Sequence, residues 1–222
     1  LYHSCYHMLK SCSSLSEYAS YANGLSLLNL KLVPLNLYLE DLFHHLQMMV
    51  RRSGIHLTYT LPQEQVDLML DTDKLMVVLA SLVSNSIAFS QESCEEKKVH
   101  IEVSASKHSV RFVVSDNGLG IPPEVLPRVF EPFFTSGRHD LQHTHLGLGL
   151  TLCKLIVKHH QGDISILSTS EAGTSVNFTI SRDLKGEQDQ RLTFCDNPLD
   201  YITNTYSPIY TYLSDVCEWV NP

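Results

Sequence analysis

Two glycine-bearing turns, Asp116-Asn117-Gly118-Leu119-Gly120 and Gly147-Leu148-Gly149-Leu150, stand on either side of the aromatic run Phe130-Glu131-Pro132-Phe133-Phe134. Asn85 lies upstream, on a strongly periodic apolar segment. Glycine pairs are common, so each piece alone carries little weight. Their order is restrictive: a helix bearing an asparagine, a strand that ends in an acid, an aromatic hinge, then a glycine turn that opens another helix. That order describes a binding cleft between layers, and it governs the reading of the rest of the chain.

Residues 2–22 place Cys5, Leu9, Cys12, Leu15, Ala19 and Ala22 at spacings of three and four, with Asn23-Gly24 as a stop. This is one amphipathic helix, too isolated to be stable without a partner. A second helix over about 36–52 carries Leu39, Leu42, Phe43, Leu46 and Val50 on one face, and Gly54 follows its end. Ile55, Leu57, Tyr59 and Leu61 alternate as a strand, and a third helix from about Thr72 to Ser90 buries Leu75, Val78, Leu79, Leu82 and Val83. Alternation in Val99–Ala105 and Val110–Val114 gives a hairpin turning at His108-Ser109. A helix over about Leu148–His160, capped by Gly162, and two strands around Ile164–Leu167 and Ser175–Ile180 close the unit. The fold expected is an α+β two-layer sandwich: a mixed five-stranded sheet faced by three helices and preceded by one long helix. Beyond Arg182 the pattern breaks, and only 208–220 regains a helical period, fitting a segment ordered by docking on the domain.

The chain has 222 residues, 43% of them apolar and 18% charged, which is globular rather than disordered composition. A net charge of −8 argues against a broad nucleic-acid surface, so an anionic ligand needs local help from Mg²⁺, main-chain N–H groups or a few cations. No apolar run approaches the roughly 20 residues of a membrane helix. The opening on Leu1 reads as a piece of something longer. The six cysteines show no paired spacing, which suits a reduced, intracellular setting.

Ser81, Asn85 and Ala88 share one helical stripe. Asn85 offers a carbonyl oxygen, a hard ligand suited to Mg²⁺ bridging phosphates, although a capping or core-edge amide is the plainer alternative. Asp116 ends a strand, where a sequestered carboxylate can accept a hydrogen bond from an exocyclic amine; Asp-Asn-Gly is equally the sequence of an ordinary turn. Gly118 and Gly120 allow the main chain close to a flat ring. Gly147 and Gly149 precede a helix whose first N–H groups suit phosphate oxygens. The polar, histidine-rich stretch from Phe133 to Leu146 reads as a lid, and its one arginine, Arg138, is a candidate for a terminal phosphate. A metal cluster of His139, His143 and His145 is less economical than lid histidines, because a zinc site needs supporting hydrogen bonds that a loop rarely gives.

Taken together, residues 71–180 resemble the catalytic and ATP-binding domain of sensor histidine kinases, in the superfamily shared with gyrase, MutL and the heat-shock chaperone. The stretches Asp73-Lys74-Leu75 and Leu82–Ser90 resemble the N box, and Asp116–Pro122 the first glycine box. Phe130–Phe134 is a full F box, Gly147–Leu150 the second glycine box, and Gly173-Thr174 resembles the third. The resemblance implies a Bergerat-type fold that binds ATP and Mg²⁺. Asn85 would ligate Mg²⁺ and Asp116 would bond the adenine amine. Phe89, Gly118, Gly120, Ile121 and Leu150 would surround the base, while Gly147, Leu148, Gly149 and Thr174 would lie along the nucleotide, and Phe130–Phe134 would hinge the lid. It further implies three parts: 1–25, the second helix of the dimerisation and phosphoacceptor domain; 26–182, the catalytic domain; and 183–222, a C-terminal tail.

The helix that carries the phosphorylated histidine in the family is absent, and neither His3 nor His7 has the context of that residue. The implied partners are a phosphoacceptor histidine helix of the same or a partner subunit, a response regulator, and a second copy in a full-length homodimer. The setting implied is cytoplasmic, with membrane anchoring of the parent protein left open. Three positions depart from the family pattern: Ser81 stands four residues before the metal ligand, where asparagine or histidine is usual and hydrolases have glutamate. Ala88 replaces a frequent phosphate-contacting cation, and His145 a glycine. The implied activity is transfer of the γ-phosphoryl group of Mg-ATP to histidine; the alternative, motivated by the departures, is a nucleotide-binding or scaffolding module without transfer.

Overall fold

The computed structural model describes residues 2–90, 96–135, 146–169, 172–185, 207–213 and 216–217. In chain order the elements are α1 (Tyr2–Ala22), β1 (Lys31–Pro34), α2 (Leu35–Arg51), β2 (Ile55–Thr60), β3 (Asp67–Leu70), α3 (Thr72–Ala88) and β4 (Lys97–Ala105). Then come β5 (Ser109–Asp116), a 3₁₀ turn at Leu126–Arg128, α4 (Gly149–His159), β6 (Ile164–Thr169), β7 (Gly173–Ser181) and α5 (Pro208–Leu213).

The five-stranded sheet has the order β2-β4-β5-β7-β6. It is mixed because β2 runs parallel to β4 while the other pairs are antiparallel. α2, α3 and α4 cover one face, the layering the sequence periods predict. Val99, Ile101, Val103, Val110, Phe112 and Val114 send their side chains into that layer. Register is fixed at the centre by Phe112, which pairs with Phe178 across β5 and β7 and stacks on it with centroids 4.7 Å apart. Asp116 shares the two-residue period of Val110, Phe112 and Val114, so its carboxylate emerges on the helix-covered side at the end of β5.

α3 begins where Asp71 accepts a hydrogen bond from the Lys74 N–H, the N-cap interaction expected of an aspartate. Its start is tied to the end of α4 by His160, almost wholly buried. The Asp71 N–H donates to His160 Nε2 at 3.3 Å, so the other ring nitrogen carries the proton and donates to the Ile156 carbonyl at 2.9 Å. Burial holds the pKa of this imidazole below the usual histidine value.

Several local features differ from the sequence expectations. β1 and β3 form a separate two-stranded antiparallel ribbon that four-residue apolar runs do not announce. The β4–β5 turn lies at Ser106–His108, one step earlier than His108-Ser109, because the Ser109 carbonyl accepts from both the N–H and the Oγ of Ser106. α4 does not use Gly162 as its left-handed cap. Gln161 takes that conformation at φ 53°, and Gly162 is needed because a Cβ there would overlap the Thr179 carbonyl.

α1 is amphipathic, yet its predicted stripe of Cys5, Leu9, Cys12, Leu15, Ala19 and Ala22 is exposed. A different face docks: Tyr21 is buried, Tyr18 meets the Phe133 ring, and Glu17 pairs with Lys74 of α3 at 2.6 Å. Of the expected 208–220 segment the described residues show a six-residue helix, which packs on α3 and α1 with Ile209, Tyr212 and Leu213 buried. Among the described residues, no helix is long and apolar enough to cross a membrane.

Candidate functional site

A cavity of about 430 Å³ opens between the sheet and the α3–α4 pair. At one end is Asp116. Its Oδ1 accepts from the Gly118 N–H at 2.9 Å and the Thr174 N–H at 3.1 Å, and the Ser86 hydroxyl donates to the same carboxylate. Burial raises the pKa of this group, and the three donors oppose that rise by favouring the ionised form. The result is an oriented carboxylate at the rim of apolar walls that include Phe89, Ile121, Leu150, Ile166 and Val176.

Ser168 is the hidden organiser of this end. Its hydroxyl accepts from the Ile121 N–H at 2.8 Å and also contacts the Gly173 carbonyl and Thr174 Oγ1. Neither Ser86 nor Ser168 was among the expected site residues. Ser86 adjoins Asn85 in the N-box segment, so proximity in sequence pointed to it; Ser168 carries no sequence signal, since it reaches the loop from β6 across the sheet.

At the other end, Gly147-Leu148-Gly149 turn into α4. Gly147 has φ +67°, and a Cβ on it would lie 2.5 Å from the Phe134 carbonyl and 2.8 Å from Phe133. The F-box main chain therefore rests directly on the second glycine turn, a contact only glycine permits. Phe133 itself is held at φ 62°, uncommon for a bulky residue. Phe134 lies under the Arg128 guanidinium at 4.4 Å, and the Thr151 hydroxyl donates to the Phe130 carbonyl at 3.2 Å. Contacts at Phe130, Phe133 and Phe134 together hold this segment against α4 and its glycine entry.

Asn85 faces the cavity from α3, one turn beyond Ser81. Ser81 is buried at the wall, and its hydroxyl hydrogen-bonds the Cys153 thiol, which burial pushes up to a pKa of about 12. The cavity wall thus contains Ser81, Asn85, Phe89, Asp116, Gly120, Ile121, Gly147, Leu148, Gly149, Leu150 and Thr174. Gly118 stands behind Asp116 as a donor and Phe130 behind α4, both outside the wall. Arg138, His139, His143 and His145 lie outside the described residues. Among the described residues no group of three His, Cys, Asp or Glu is placed to hold a metal. A divalent ion would find at the wall one amide oxygen of Asn85, a hard donor that a bound ligand and water would have to supplement.

Residues 70–184 match the family of histidine kinase-, DNA gyrase B- and HSP90-like ATPases. The chain belongs to that family. The matched span begins at the end of β3 and finishes just past β7, so it contains α3, α4 and both glycine turns that build the cleft, while α2 and β2 lie before it.

Within this ATPase family the relatives are sensor kinases. The sensor histidine kinase RcsC of Escherichia coli (strain K12) is 33% identical over 148 residues, 65% of this chain and 15% of that protein. The sensor protein TdiS of Thauera aromatica is 30% identical over 149 residues, 66% of this chain and 26% of its own length. The chain therefore spans about a quarter or less of these relatives. Among solved structures, the catalytic domain of histidine kinase ThkA superposes with a TM-score of 0.58 at 26% identity, over 70% of this chain and 97% of that one. Full-length ShkA in complex with AMPPNP has the same fold, with a TM-score of 0.69 at 20% identity, over 82% of this chain and 38% of that one.

Proposed function

We propose that the chain is the ATP-binding catalytic part of a sensor histidine kinase. The observation that carries this reading is the Asp116 carboxylate, oriented by Gly118, Thr174 and Ser86 at one end of an apolar cavity whose other end is the glycine entry to α4. A carboxylate so held accepts from an amine, which selects adenine over guanine. Phe89, Ile121 and Leu150 supply the flat apolar contact, and the first N–H groups of α4 meet phosphate oxygens. Asn85 would give Mg²⁺ one ligand, and the ion would neutralise charge on the polyphosphate.

Transfer to a histidine asks little covalent help of the protein, since imidazole is itself the nucleophile and positioning dominates. Ser81, engaged with Cys153 in helix packing, supplies no base for attack by water, so the site favours transfer over hydrolysis. The exposed stripe on α1 fits the role of a dimerisation helix, its apolar side left for helices of an acceptor domain. Partners are then the acceptor histidine of the same or a second subunit and a response-regulator aspartate.

Two measurements test this. Titration calorimetry should show ATP binding that GTP does not match. Radiolabel from γ-labelled ATP should appear on histidine in the full-length protein, and tight ATP binding without any label would favour the non-transferring nucleotide module.

A further inference from the structure

The wall of the nucleotide cavity is not made by the family's own motifs alone. Lys10 and Ser14 of α1 and Tyr212 of α5 line it as well. They are one interlocked group. Lys10 Nζ donates to the Tyr212 carbonyl at 3.2 Å and lies 5.6 Å from the centre of that ring, and Ser14 Oγ is 3.3 Å from the Tyr212 hydroxyl. Tyr212 and Ser14 are both buried, so the group is fixed rather than a chance surface meeting.

Its position along the cavity is the phosphate end. Tyr212 lies close enough to Cys153 for the thiol to help raise the tyrosine's pKa, and the Cys153 thiol bonds Ser81. Ser81 Oγ is in turn 2.9 Å from where a Cβ on Gly149 would sit. The chain of neighbours from Lys10 through Tyr212, Cys153 and Ser81 ends at Gly149, the start of α4.

Among the described wall residues Lys10 is the one lysine or arginine, and Ala88 stands on α3 where the resemblance leads one to expect a cation. A bound triphosphate concentrates several negative charges there, more than a single divalent ion offsets. We propose that Lys10, reaching in from α1 and seated by the carbonyl and ring of Tyr212, is the side chain that neutralises the terminal phosphates of the nucleotide. This deepens the ATP reading and rests on it. The C-terminal helix then has a purpose at the site: it places a cation that the catalytic domain's own motifs omit.

The test compares ATP with adenosine, on the whole chain, by calorimetry with Mg²⁺ present. Lys10→Met keeps the apolar stem on the Tyr212 ring and removes the charge; Lys10→Arg keeps the charge. Lys10→Met should weaken ATP by about tenfold, the worth of one charge-assisted contact, and leave adenosine unchanged, while Lys10→Arg retains most of the ATP affinity. Equal losses for ATP and adenosine, or no loss for ATP, overturn the assignment of Lys10 and leave the nucleotide reading standing. A wild-type chain that binds neither removes that reading and the Lys10 proposal with it.

Discussion

Asp116→Asn separates binding from folding at this site. The substitution keeps an oxygen for the Gly118 and Thr174 N–H groups, which are 2.9 and 3.1 Å away, and changes only the charge and the second oxygen. An amide NH₂ then confronts the amine that the carboxylate would accept from. The loss of one charge-assisted hydrogen bond, with a donor left facing a donor, costs about 2–4 kcal/mol. ATP affinity should therefore fall by about thirtyfold to eight-hundredfold. Stability should move the other way. Burial raises the pKa of Asp116 in the folded chain, so the ionised group costs stability at neutral pH, and that cost disappears as pH falls through the raised value. The neutral asparagine escapes it, and the melting temperature should hold or rise. A fluorescent ATP analogue gives the affinity and thermal unfolding the stability. Binding within about threefold of wild type, a change of only ~0.7 kcal/mol, in a folded variant would refute the adenine assignment.

The other predictions concern the frame around the site. In wild type, ATP affinity should weaken as pH drops through the raised Asp116 range, because a protonated carboxyl is no longer a pure acceptor; a flat profile in the binding titration contradicts this. Gly147→Ala must move the F-box main chain and strain a left-handed residue, so it should lower the melting temperature by the equivalent of about 1 kcal/mol or more and weaken ATP together with it. His160 is held neutral by the Asp71 N–H, with its pKa lowered by burial. Its contribution is complete above the unfolded value near 6.5 and declines as pH falls, since the unfolded chain takes the proton first. His160→Gln should therefore flatten the fall of melting temperature below that pH. Leu213→Ala empties a fully buried position between α5 and its neighbours and should cost about 2–5 kcal/mol in denaturant unfolding, whereas a tail that only brushes the surface would show almost nothing.

What the sequence determined by itself is whatever short-range periodicity and turn chemistry encode. The 3.6-residue period of Leu75, Val78, Leu79, Leu82 and Val83 gave α3, and the alternation of Val110, Phe112 and Val114 aimed Asp116 at the helical layer. The glycine turns announced their positions because their conformations exclude most side chains. Tertiary structure alone decided the rest. Gly147 reads as a helix entry, yet its constraint is the carbonyl of Phe134 thirteen positions away, and Ser168 joins the site only because β6 flanks β7. The apolar stripe of α1 stays exposed, and it is Glu17, Tyr18 and Tyr21 on another face that meet the domain, a choice no local period announces. The seat of Lys10 on Tyr212 joins residues 202 apart. A pattern along a chain records which side each residue faces within its own element, and only packing settles which elements meet.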